Sequence, residues 1–247
     1  MRMPRLIFIL MAGFSLLPAD AVAQEQVVLL HGLCRTKHSM KSMEESLVRA
    51  GFRVANIGYP SRSAPIEQLS ESVIGQSVAE CRRDGAPIIH FVTHSLGGIL
   101  VRSYLARHPL PELGRVVMLG PPNQGSEVVD LLGRLWLFKA INGPAGAELG
   151  TNRDSVPNKL GPVKFRLGVI AGSRSMNWIN SRFISGPDDG KVSVERTKVE
   201  GMSDHIVIPA THPCIMKNRL AIEQTIQFLR TGTFDHPDAG IHHLASK

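Results

Sequence analysis

Cysteine, aromatic residues and long apolar runs are all scarce in this chain, and each scarcity removes a class of protein. Three cysteines in 247 residues cannot staple a disulfide-dense scaffold, and no paired Cys or Cys/His spacing outlines a zinc site. Aromatic residues make up 5% of the composition, and the 28 Lys and Arg residues are scattered without an aromatic-interleaved stripe, which argues against nucleic acid as a partner. H-E-x-x-H does not occur, and the turn after the first apolar strand lacks G-x-G-x-x-G. Neither metal chemistry nor a dinucleotide site is indicated, and no cofactor is expected. Beyond the N-terminus no run approaches the ~20 apolar residues of a membrane-spanning helix.

The N-terminus departs from that pattern. Arg2 and Arg5 precede an apolar stretch at residues 6–17, and Ala21-Val22-Ala23 places small residues two apart ahead of Gln24. A positive start, a short apolar core and a small-x-small site, in that order, predict a secretory signal peptide over residues 1–23 and an exported mature chain, periplasmic or secreted. Losing Arg2, Arg5 and Asp20 with the leader takes the formal net charge from +7 to +6. Such a surface is compatible with peripheral contact to anionic lipid or polysaccharide, and a merely solvated basic surface satisfies the same count. In an oxidising compartment an odd number of cysteines leaves one thiol over. Cys34 and Cys214 both follow turns that would meet on a shared sheet edge, so a bridge between them and a set of free thiols are both open; Cys81, at a helix end, belongs at the opposite edge.

Residues 24–230 suit one domain in which apolar runs alternate with helical periodicity, the pattern of a parallel sheet with crossover helices. Strands are expected at 27–30, 52–57, 87–92, 115–119, 164–170 and 205–209, with helices at 39–50, 66–85, 98–108 and 215–230. The pattern loosens over 126–160, where Leu131, Leu132, Leu135, Trp136, Leu137 and Phe138 precede a Gly/Pro-rich connection. This insertion is either a cap over a site or an ordinary crossover helix resting on the sheet. Residues 231–247 lack periodicity and read as a disordered tail, in which His236, His242 and His243 do not make a metal site.

Two glycine-bearing turns carry the chemistry. His31-Gly32-Leu33 ends the first strand, and Thr93-His94-Ser95-Leu96-Gly97-Gly98 ends the third. A strand that hands a serine directly to a helix lifts its hydroxyl out of the sheet, beside backbone N–H groups that the helix cannot satisfy. Serine is a poor nucleophile unless a base lies within hydrogen-bond reach and donors await the oxyanion. Leu96 N–H is one candidate donor and Leu33 N–H, from the first turn, the other. A base at a strand's exit reaches such a turn where one at its entrance does not. That favours His212 over His205, while His31 and His94 read as loop braces and His90 as a core residue.

These motifs, with Pro121 to Ser126, Asp188 to Gly190 and His212, resemble the α/β-hydrolase superfamily, in particular its lipase and esterase branch with an H-G-L segment. The resemblance covers nearly the whole mature chain in element order and departs at Thr93, where the usual G-x-S-x-G turn has glycine. It implies a catalytic triad of Ser95, Asp189 and His212, with Asp188 as the alternative acid, and an oxyanion hole from Leu33 and Leu96. The activity it implies is hydrolysis of an apolar acyl ester, small-molecule or lipid, through an acyl-enzyme. An acyltransferase or thioesterase using the same triad, and a non-catalytic binding protein on the same fold, are the alternatives.

Overall fold

The computed structural model describes residues 24–133, 135–176 and 178–236. The expected leader over residues 1–23, and His242 and His243, lie outside these. From the N-terminus the chain forms β1 (Gln26–Leu30), α1 (Lys41–Arg49), β2 (Arg53–Ile57), α2 (Ile66–Leu69), α3 (Gly75–Arg83) and β3 (Ile89–His94). It continues through α4 (Leu96–Leu105), β4 (Leu113–Leu119), α5 (Glu127–Leu132), α6 (Trp136–Ala147), α7 (Val156–Lys159), β5 (Leu167–Gly172), α8 (Trp178–Ser181), β6 (Asp204–Ile208) and α9 (Arg219–Thr231). A π-helical turn at Ser70–Ile74 joins α2 to α3, so the single helix expected over 66–85 is a bent one.

The six strands pair in the order β2-β1-β3-β4-β5-β6, each neighbouring pair parallel. β1 and β3 are buried along their whole length because both faces of the sheet are covered. Alternation divides them cleanly. Val28, Leu30, Phe91, Val116, Met118 and Val169 face α2, α3 and α4, whereas Val27, Leu29, Val92, Val117, Leu119 and Ile170 face α1 and α9. The large fully buried side chains of these layers, Phe91 and Phe228 among them, each hold about 3–5 kcal/mol against truncation to alanine.

Strand order reverses between β1 and β3: after β1 the chain adds β2 on one side, then crosses back to place β3 on the other. In open parallel sheets the crevice at such a reversal, beyond the C-terminal strand ends, is where ligands sit. Both glycine-bearing turns leave the sheet at this point.

One open alternative is decided and two sequence expectations are corrected. Cys34, Cys81 and Cys214 are all free thiols, so the Cys34–Cys214 bridge does not form; the Cys34 thiol instead faces Ile141 O at 3.4 Å. The closing helix does not run unbroken from Ile215: a short 3-10 turn (Ile215–Lys217) precedes Asn218, whose side chain caps α9 by accepting from Ala221 N–H. Disorder does not begin at Thr231, since Phe234 is buried against Phe228 and its N–H donates to Asp204, an apolar anchor that a short aperiodic segment does not advertise. Among the described residues no helix is long and apolar enough to cross a membrane.

Candidate active site

Ser95 stands alone between β3 and α4, with φ 53° and ψ −118°. A non-glycine residue rarely adopts positive φ, and holding one there takes surrounding structure that over-determines it. Here the serine N–H donates to Leu119 O of β4 at 2.9 Å, and the serine carbonyl accepts Gly98 N–H at 3.0 Å. The turn therefore begins two to three residues earlier than the helical pattern from Gly98 indicates. Thr93, where a tight turn favours glycine, is fully buried, and its hydroxyl lies 3.5 Å from Val117 O in the sheet. The β-branched side chain fits because it belongs to β3 and points to the neighbouring strand.

His212 and Asp189 complete a hydrogen-bonded row with this serine. His212 Nε2 lies 3.1 Å from Ser95 Oγ, and His212 Nδ1 lies 2.7 Å from Asp189 Oδ2. An ionised carboxylate only accepts, so Nδ1 carries the hydrogen and Nε2 receives the serine hydroxyl. Asp189 is held in turn: its Oδ1 accepts Lys191 N–H and Val192 N–H, and its carbonyl accepts His212 N–H at 2.8 Å. Asp188 points elsewhere, accepting Gly190 N–H and the Ser181 hydroxyl. All three members of the row are buried, Ser95 retaining 8% of its exposure.

Glycines make room for this row. A Cβ on Gly120, whose φ is +54°, would stand 2.9 Å from Asp189 Oδ2 and 3.3 Å from His212 Nδ1. At Gly32 a Cβ would stand 2.6 Å from His94 Nδ1 and 3.1 Å from Ser95 Cβ. Close approach of the first turn to the second, rather than a need to bend, is what excludes a side chain there.

The remaining histidines take the places expected of braces. His31 stacks on Tyr59 at 4.2 Å between ring centroids, its Nδ1–H donates to Gly32 O, and Tyr59 donates its hydroxyl to His31 O. His94 donates Nε2–H to His212 O at 3.0 Å, leaving its buried Nδ1 without a partner. Burial first, then repulsion from His212, holds the His94 pKa well below the ordinary histidine value. His90 is buried within β3, and its Nδ1 accepts Arg115 N–H. His205 bonds the Thr197 hydroxyl, away from Ser95.

A cavity of about 420 Å³ opens over Ser95 and His212, with Leu33 in its wall. The insertion supplies one side of it, through Val128, Val129, Phe138, Asn142 and Leu149. Its outer surface is apolar too: Leu135, Trp136, Leu137 and Ile141 are about half or more exposed. The segment thus lends side chains to the cavity wall and also packs into the core, where Ala145 and Leu149 are buried, and α6 breaks at Gly143, where φ is 65°. Leu96, as the first residue of α4, has an N–H that the helix itself cannot bond. Among the described residues no cluster of His, Cys, Asp and Glu could hold a metal ion.

Sequence reasoning missed Arg102, 3% exposed on α4, which donates to Asn123 O, Asn123 Oδ1, Pro157 O and Gly161 O. Asn123 passes the tie to Thr197 O. This clamp fixes the Pro121–Ser126 turn, from which Pro122 and Ser126 reach the cavity wall. An arginine inside a helical pattern reads as a solvated residue, and nothing in its spacing marks it otherwise.

No family profile matches this sequence, and no curated protein is significantly similar to it. Solved structures are. The mature lipase BlEst2 of Bacillus licheniformis superposes with a TM-score of 0.69 at 20% identity, over 84% of this chain and 93% of that one. A metagenomic carboxyl esterase gives 0.63 at 18% identity, over 79% and 66%. Lipase B of Aspergillus fumigatus gives 0.64 at 14% identity, over 83% of this chain and 52% of its own. At such identities the likeness speaks for architecture, and the architecture of this chain is the α/β-hydrolase fold.

Proposed function

We propose that this protein is an exported serine ester hydrolase of the lipase or carboxylesterase type, working through an acyl-enzyme on an apolar acyl ester. The observation that carries the reading is the Ser95–His212–Asp189 row, with separations of 3.1 and 2.7 Å, opening on an apolar-walled cavity. Ser95 Oγ attacks the ester carbonyl while His212 Nε2 takes its proton. The tetrahedral oxyanion is held by Leu33 and Leu96 N–H groups, with the positive end of α4 adding to the field. His212 then gives the proton to the departing alkoxide, leaving an acyl-Ser95 ester and an alcohol. Water enters by the reverse route, deprotonated by His212, and releases the acid. Asp189 keeps Nδ1 protonated and stabilises the imidazolium formed at each transfer. Val128, Val129, Phe138 and Leu149 provide the surface against which the acyl chain lies.

The positive start, apolar core and Ala21-Val22-Ala23 of the first 23 residues support export, and N-terminal sequencing of protein recovered outside the cytoplasm should begin at Gln24. For the chemistry, a fluorophosphonate probe should label the native protein on Ser95 and leave Ser95→Ala unlabelled. Native protein that stays unlabelled under conditions where an authentic serine esterase reacts would end the enzymatic reading in favour of a binding protein.

A further inference from the structure

The cavity over Ser95 is not uniformly apolar. Among its wall residues three are charged: Asp189, which is engaged with His212, and the cations Arg35 and Lys191. Neither cation takes part in an ion pair among the described residues, whereas Arg53, Arg82, Arg83, Arg107, Arg196 and Arg219 do. We propose that Arg35 and Lys191 form an anion-recognition subsite, so that the ester this protein takes carries an anionic oxygen group, phosphate or carboxylate, together with an apolar acyl chain. This rests on the ester hydrolase reading and narrows its substrate class.

Both cations are carried on backbone already tied to the site. Arg35 lies two residues after Leu33; its N–H donates to Gly32 O, and the preceding Cys34, at φ 57°, donates its N–H to the Ser61 hydroxyl. Lys191 lies two residues after Asp189; its N–H donates to Asp189 Oδ1, and its carbonyl accepts the Ser126 hydroxyl at 2.7 Å. The positions of the two side-chain roots are thus set by the same bonds that set the oxyanion turn and the triad acid. After burial and His212, both charges add to the lowering of the His94 pKa behind His212. Both side chains remain exposed where they line the cavity, and the Lys191 pKa is lowered by desolvation foremost and by the Arg35 charge, against the opposing pull of Cys34 and Asp189. Two like charges on one cavity repel, the Asp189 carboxylate offsets them in part while engaged with His212, and an anion between them removes the rest of that repulsion. Val128, Val129 and Phe138 from α5 and α6 give the same cavity apolar surface, so a substrate with both a chain and an anionic end finds a partner for each.

Three octanoyl esters that differ in one group test this: 1-octanoylglycerol, 1-octanoylglycerol-3-phosphate and 3-O-octanoylglycerate, each followed by octanoate release. Charge-assisted contacts of this kind are worth about 1.5–3 kcal/mol, so kcat/KM for at least one anionic ester should exceed that for the neutral one by about tenfold or more at low salt. Which anionic ester leads separates phosphate from carboxylate as the natural group. The ratio should fall toward one in Arg35→Ala/Lys191→Ala, and in the native protein as sodium chloride is raised to about 0.5 M. A native ratio at or below one, with 1-octanoylglycerol turned over, overturns the anion subsite and leaves the hydrolase reading standing. Failure to hydrolyse any of the three, with no fluorophosphonate labelling of Ser95, overturns both. A high native ratio that survives the double substitution places the anion elsewhere and overturns this assignment.

Discussion

Two adjacent aspartates differ in everything but charge. Asp189 spends one carboxylate oxygen on His212 and the other on two backbone N–H groups, whereas Asp188 spends its contacts on Gly190 and Ser181 within its own loop. A neutral amide at 189 would present an N–H or a weak acceptor to Nδ1 and release the tautomer that keeps Nε2 free. Asp189→Asn should therefore lower kcat by about 10³–10⁴ while the protein stays folded, the size seen when a triad acid is made neutral. Asp188→Asn keeps an acceptor at Oδ1 and should cost less than tenfold. Steady-state hydrolysis of p-nitrophenyl butyrate by both variants separates them, and equal losses would contradict the assignment of the acid. The distinction is partly visible before any coordinates: the D-G-x-V resemblance puts the acid directly ahead of Gly190, but two neighbouring carboxylates on a turn differ only in where the backbone points them.

At the scale of elements, the succession of strands and helices and the two glycine-bearing turns are readable from apolar runs and glycines, whereas the sheet order that sets both turns beside the reversal leaves no such trace. Element ends are less readable. α4 starts at Leu96, not Gly98, because the serine's positive φ makes the turn as short as it is. α9 starts at Arg219 because Asn218 caps it, although the apolar pattern continues upstream through Ile215 and Met216, which are buried in the 3-10 turn. Ties between elements leave no periodic trace at all, and the Arg102 clamp is the clearest case. Arg102→Leu removes the donors of four bonds to buried or half-buried acceptors joining α4, the turn after β4, and α7 with the residues that follow it. Unsatisfied buried groups cost about 1–3 kcal/mol each before relaxation, so a net loss of about 2–4 kcal/mol is expected in urea unfolding. A change below about 0.5 kcal/mol would mean that water replaces the guanidinium. The insertion makes a further prediction: Phe138→Ala should lower the preference for octanoate over acetate esters by about fourfold or more, the worth of one buried methylene, whereas equal losses on both would place the acyl chain elsewhere.

Across the whole molecule the buried histidines set a pH limit. His31, His90 and His94 are 0–2% exposed, and in each burial is the largest cause of a lowered pKa, opposed at His90 by the hydrogen bond its Nε2–H donates to Glu25. The unfolded chain protonates its histidines near 6.5, whereas the folded chain keeps these three, together with the partly buried His205 whose pKa burial also lowers, neutral to lower pH. Above about pH 6.5 their contribution to stability is fully present and the profile is flat. Below it the unfolded state binds more protons, so stability falls as pH drops from about 6.5 through the lowered folded values. Each histidine contributes at most ~1.4 kcal/mol per pH unit in that window. Asp204 also has a lowered pKa, but its loss begins only below the ordinary carboxylate range and so does not enter between about pH 6.5 and 5. Urea unfolding at about pH 7.5, 6.5, 5.8 and 5 should show a plateau and then a decline. His90→Gln, which removes one of these titrations at a position remote from Ser95, should flatten that decline without moving its onset. A stability that stays level from pH 7.5 to 5 would require these rings to be as easily protonated inside the protein as outside. The unpartnered Nδ1 of His94, enclosed beside Gly32, would then have to accept a proton with no acceptor for the resulting N–H.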